Sequence, residues 1–129
     1  MAATAADVIR VIKPEQMTEL TAQTSGMVRQ ELVSAPGTWI GITRAAPGLA
    51  SGWHHHGDYD TYVYVLSGTA RLEFGPAGRE ACDGEAGDLL VVPKGVVHRE
   101  VSPAGVEAVA LIVRVGSGDP VFNVDRPSA

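Results

Sequence analysis

Residues 61–74 read TYVYVLSGTARLEF. In the first half Val63 and Val65 oppose Tyr62 and Tyr64, and in the second Ala70, Leu72 and Phe74 oppose Arg71 and Glu73. Alternation with period two is the mark of a strand with one buried face. Ser67-Gly68 between the halves is a turn signal, so the stretch predicts two consecutive strands.

Working outward, the same grammar recurs. APG at 35–37, APG at 46–48, GPAG at 75–78 and PKG at 93–95 punctuate the chain, which carries 15 glycines and 8 prolines. Between them DLLVVP (88–93) and VEAVALIVRV (106–115) have strand length and β-branched composition, and RQELV and GITRA read as further strands. DVIRVIK near the start reads as another strand, and Pro14 in PEQMTEL suits a short helical turn. REACDGEAGD (79–88) reads as a polar turn region. Residues 1–6 and the tail GSGDPVFNVDRPSA read as poorly ordered ends or as arms lying on a partner. Many short strands in a chain of 129 residues predict a single all-β domain, sandwich or barrel. Its core is expected at about 38–115, with an N-terminal strand or arm over 1–37 and a tail over 116–129.

Charge and composition exclude several classes. The net charge is -5 and the basic residues are scattered, so the electrostatic footprint of a nucleic-acid binder is missing. The longest purely apolar run, Ala108 to Val113, falls far short of the roughly 20 residues a membrane helix needs. The start MAATAADVIR lacks the features of a secretory signal, and a cytoplasmic protein is the expectation. The single cysteine, Cys82, cannot pair within the chain and reads as a bystander thiol.

The chemistry concentrates in residues 53–61, WHHHGDYDT, which hold three of the four histidines. On a strand His54 and His56 project from one face and His55 from the other. The pair makes a two-tooth clamp for a metal, because much imidazole is unprotonated near neutral pH. A third ligand from another strand would complete a facial set with open positions, and His98 is the remaining histidine.

The spacing around these residues resembles the cupin superfamily. Gly48, five residues, His54, one residue, His56, and later Gly68 is similar to its first motif; Gly87, five residues, Pro93, one, Gly95, two, His98 is similar to its second. The resemblance covers most of 38–115 and implies a cupin jelly-roll β-barrel in which His54, His56 and His98 converge on one metal. Two positions depart from the pattern. The first motif's usual glutamate, seven residues before Gly68, is Thr61 here, with Asp60 beside it but out of phase unless a bulge intervenes. The second motif's usual asparagine, four residues after His98, is Ser102, which still offers a hydrogen bond.

Alternation along HREVS puts Glu100 and Ser102 on the face of His98, with Glu100 about 6–7 Å along the strand. Glu100 is the candidate catalytic carboxylate, either orienting a histidine or acting as a general base. Trp53, Tyr62 and Tyr64 are the aromatic candidates nearby, the two tyrosines reading as packing residues, and His55 reads as a residue of the far face or loop. Arg29, Glu31 and Arg44 reach either a pocket or an exposed face.

The resemblance implies a mononuclear metal enzyme, with a dioxygenase acting on a diketone or hydroxy-aromatic substrate as the leading expectation. A site lacking the motif's carboxylate favours an anionic substrate oxygen. Iron(II) is the expected ion, and zinc, manganese, nickel or copper suit the same ligands. A non-catalytic small-ligand-binding cupin and a metal-dependent cyclase, lyase or isomerase are the alternatives. A homodimer is expected, with DVIRVIK, Val97 and Val101 as apolar surface needing cover.

Overall fold

A computed structural model describes residues 8–20, 27–103 and 105–129. Among the described residues eleven strands follow in chain order. They are β1 (Thr18–Leu20), β2 (Met27–Ala35), β3 (Thr38–Ala45), β4 (His54–His55), β5 (Asp60–Ser67) and β6 (Thr69–Phe74), then β7 (Glu80–Glu85), β8 (Leu89–Val92), β9 (His98–Val101), β10 (Ala108–Val115) and β11 (Phe122–Asn123). All pairings are antiparallel. One sheet has the order β1-β2-β3-β10-β5-β8 and the other β11-β4-β9-β6-β7. Two antiparallel sheets packed face to face make the all-β jelly roll expected from the motifs.

The apolar periodicity determines which faces meet. β10 buries Ala108, Ala110, Ile112 and Arg114, and β5 buries Thr61, Val63 and Val65. Trp39, Val63, Ala110 and Ile112 form one cluster of the core, and Met27, Ala45 and Ala108 another. Truncating Ile112 to alanine would cost about 2–5 kcal/mol by cavity formation. The Trp39 indole lies flat across Gly41, where a Cβ would meet its Cη2 at 2.2 Å, so only glycine fits beneath it.

Three segments differ from expectation. The first strand is Thr18–Leu20; residues 8–13 of DVIRVIK form no strand, and Asp7 lies outside the described residues, as do residues 1–6. Pro14–Gln16 is a single 3-10 turn. REACDGEAGD is largely strand β7, whose polarity reflects an edge position with only Gly84 buried; the ladder to β6 overrides the turn-like composition. The tail docks on its own barrel: β11 pairs with β4, the Val124 N–H donates to Trp53 O at 3.0 Å, and the Ala77 N–H donates to Ser128 O at 2.7 Å. Main-chain bonding, invisible in the tail's composition, overrides its reading as loose or partner-bound. No helix among the described residues is long and apolar enough to cross a membrane.

Candidate metal centre

Strand pairing delivers the histidines to one place. His54 on β4 and His98 on β9 are direct cross-strand partners and so face the same side, while His56 continues the face of His54 by alternation. The three are 0%, 3% and 2% exposed for His54, His56 and His98. Ring centroids are 4.4 Å apart for His54–His98, and 5.1 Å for His54–His56 and for His56–His98. Glu100 joins them, and one ligand atom from each of the four lies within 4.8 Å of all the others.

The rings are oriented by main-chain carbonyls. Nδ1 of His54 lies 3.0 Å from Gly52 O, that of His56 2.8 Å from Pro120 O and that of His98 2.9 Å from Val96 O. A carbonyl only accepts, so each Nδ1 must carry a proton, and in the neutral ring each Nε2 then presents its lone pair. Three imidazoles fixed in the ligating tautomer, each through a second hydrogen bond, is the arrangement metal-binding histidines adopt. His54 Nε2 is buried with no hydrogen bond among the described residues, although Glu100 Oε2 stands 3.3 Å away. That contact is electrostatic, and a lone pair aimed at a carboxylate needs a cation between them. The donor set therefore fits a divalent metal ion.

Glu100 supplies the carboxylate that the first motif lacks. Its Oε1 lies 3.5 Å from His98 Nε2 and its Oε2 3.3 Å from His54 Nε2. Ser51 fixes it: the Ser51 hydroxyl accepts from the Glu100 N–H at 2.9 Å and has both Glu100 Oε2 and Gly52 O at 3.0 Å to receive its proton. Burial works to raise the Glu100 pKa, but attraction to His54 and His98 holds it well below the ordinary value. Burial, the Arg114 charge and the neighbouring imidazoles push His56 down to about 2, so it is neutral and ready to ligate. Burial lowers His98 too, but hydrogen bonding and attraction from Glu100 outweigh it and the net shift is upward.

The other singled-out residues fall elsewhere. Asp60 accepts from the Lys94 N–H at 3.0 Å, and β5 runs without a bulge at that point, so its carboxylate stays out of the cluster. Thr61 is buried, and Ser102 donates to Val106 O at 2.9 Å. His55 faces away, stacking on Phe122 at 4.9 Å and accepting from the Gly57 N–H at 3.1 Å. Tyr64 lies on the outer face, and Trp53 carries the Arg99 guanidinium 4.7 Å above its ring. Arg29 points into the barrel, Arg44 outward to Gln30 and Glu107, and Glu31 accepts from the Trp39 indole N–H at 2.8 Å. Cys82 is not wholly a bystander in position: with Leu72, Phe74, Val92, Val96 and His98 it lines an apolar cavity of about 390 Å³.

Two parts of the site were not foreseen. Arg114 is 2% exposed, and its parity with Ala108, Ala110 and Ile112 would have placed it inside. The Pro120 carbonyl that holds His56 comes from the tail, for which no sequence signal exists.

Comparison with known proteins agrees with this architecture. The family pattern of the cupin domain matches residues 41–114. A relative from Bacillus subtilis (strain 168), the uncharacterized protein YdbB, is 36% identical over 75 residues, 58% of this chain and 63% of its own length. The match thus spans less than two thirds of that relative. The polyketide cyclase RemF from Streptomyces resistomycificus superposes with TM-score 0.74 at 18% identity, over 91% of this chain and 86% of its own. A double-stranded β-helix protein from Klebsiella pneumoniae gives 0.73 at 16%, covering 97% and 99%. KdgF from Halomonas gives 0.69 at 18%, covering 87% and 97%. At these identities the likeness is one of fold.

Proposed function

The chain belongs to the cupin family, and from that premise we propose that it is a mononuclear metal-dependent enzyme acting on a small oxygenated substrate. The observation that carries this reading is the set of three Nδ1–carbonyl contacts, which leave three Nε2 lone pairs converging beside one carboxylate. His54, His56 and His98 would hold the ion, with Glu100 as fourth ligand. The bound ion would supply Lewis-acid polarisation of a substrate oxygen and, as iron(II), the redox chemistry of a dioxygenase.

The chain's own groups do the remainder. Ser51 holds the Glu100 carboxylate in place, where it stays ionised and would balance part of the ion's charge. The apolar cavity of about 390 Å³ that His98 helps to line suits a diketone or hydroxy-aromatic body. A second reading, metal-dependent cyclisation or isomerisation without oxygen, draws support from the fold shared with the polyketide cyclase RemF. The partner we propose is a second copy of the chain, covering exposed Tyr64, Leu66, Leu89 and Val91 on the outer face of the first sheet.

The test is anaerobic loading with iron(II), followed by oxygen-consumption assays over diketones and hydroxybenzoates. Oxygen uptake that requires both metal and substrate supports the dioxygenase. Turnover without oxygen uptake moves the assignment to the second reading, and tight ligand binding without any turnover contradicts both.

A further inference from the structure

Of the buried polar atoms without a hydrogen-bond partner among the described residues, two outside the histidine cluster belong to neighbouring residues: Arg114 Nε and Thr61 Oγ1. Arg114 on β10 and Thr61 on β5 are direct cross-strand partners, both turned inward and each 2% exposed. Side chains so paired sit about 4.5–5.5 Å apart at Cβ. A buried donor left unmade is costly, and a buried guanidinium more so, unless a partner of opposite charge arrives.

The surroundings say what that partner is. The Arg114 guanidinium is stacked 4.6 Å above the Trp39 ring, which fixes its plane but satisfies none of its N–H donors. Burial and then the charge of Arg29 draw its pKa down to about 9, against an upward pull from Glu100 and Tyr59, so it is still charged at neutral pH with a second cation and one carboxylate in its field. Val92, the cross-strand partner of Thr61 on its other side, lines the apolar cavity that ends at His98. The Thr61–Arg114 pair thus adjoins that cavity through Val92, while His98 of the metal centre lines it directly.

We infer that Arg114 and Thr61 form a seat for an anionic oxygen, a carboxylate or enolate carried on an apolar body, beside the metal centre. This rests on the metal reading given above and narrows its substrate class. The guanidinium supplies the charge and a planar pair of donors, and the threonine hydroxyl adds a donor at the seat's edge.

The test uses the full chain with Trp53→Phe, so that Trp39 is its one indole, both loaded with cobalt(II) and metal-free under chelator. Benzoate is titrated against benzamide, its neutral counterpart, reading Trp39 fluorescence and, in the loaded form, cobalt absorption. Benzoate should bind about tenfold or more tightly than benzamide, and Arg114→Met should erase most of that margin. Thr61→Val should weaken benzoate about three- to fivefold while leaving the unfolding midpoint unchanged or higher, because it deletes an unpaired buried hydroxyl. Arg114→Lys should restore part of the affinity, and cobalt affinity should stay within about threefold throughout. Undiminished benzoate binding in Arg114→Met and Thr61→Val, equal binding of benzamide, or no benzoate binding to the parent in either form would overturn the inference. Failure to bind cobalt would instead sink the metal reading, with the metal-free titration still deciding the anion seat.

Discussion

Glu100 Oε2 lies 3.3 Å from His54 Nε2, across the pairing between β9 and β4, and this contact defines the site. The carboxylate missing at Thr61 comes from the other motif, two residues beyond His98 on the same strand face.

Glu100→Gln keeps the shape and the Ser51 contact but removes the charge. Metal affinity, measured by competition with a chromophoric chelator, should fall about 10- to 100-fold. An unchanged affinity would mean that Glu100 stands aside from the ion.

The metal-free protein should show a stability maximum near pH 6.5. The folded pKa of His56 is about 2 while the unfolded imidazole titrates at about 6.5, so between these values only the unfolded chain holds the proton. Stability therefore falls by about 1.4 kcal/mol per pH unit as acid is added below 6.5. Glu100, lowered from its ordinary 4.5, adds to the loss at more acidic pH. His98 acts in the opposite sense: raised in the fold, its contribution is complete below 6.5 and lost as pH rises through its folded value. Urea midpoints from pH 4 to 8 under chelator check this, and a midpoint that keeps rising on acidification would contradict it.

The tail should matter to the metal more than to the barrel. Removing residues 119–129 deletes the Pro120 carbonyl that orients His56 and the β11 ladder to β4. A loss of about 10- to 100-fold in metal affinity, with the far-ultraviolet dichroism of the barrel retained, is the expected outcome. Unaltered affinity would show that His56 needs no such anchor.

Much of this was legible in the sequence because period-two alternation is a local property. Val63 and Val65, Leu72, and the pairing of Glu100 with His98 on one face all follow from parity. The glycine and proline spacing around His54, His56 and His98 carried the fold. What escaped was non-local. The tail's hydrogen bonds depend on where β4 leaves an open edge, and β7 is a strand only because β6 offers it a ladder. Arg114 was readable by parity but stands in an otherwise apolar strand, where a charge looks like a surface residue.

Tyr64→Glu with Leu89→Glu places charge on the exposed apolar face of the β5–β8 pair, where these two residues are cross-strand partners. Sedimentation should give a dimer for the parent and a monomer for the double variant, both folded. Equal masses would remove this face from the assembly.

The central claim is that imidazoles from two hairpins hold one cation. Metal stoichiometry by elemental analysis, on tag-free protein, compares His98→Ala with His55→Ala. One equivalent should remain in His55→Ala, whose ring faces Phe122, and almost none in His98→Ala. Full occupancy in both variants, or loss in both alike, would contradict the account.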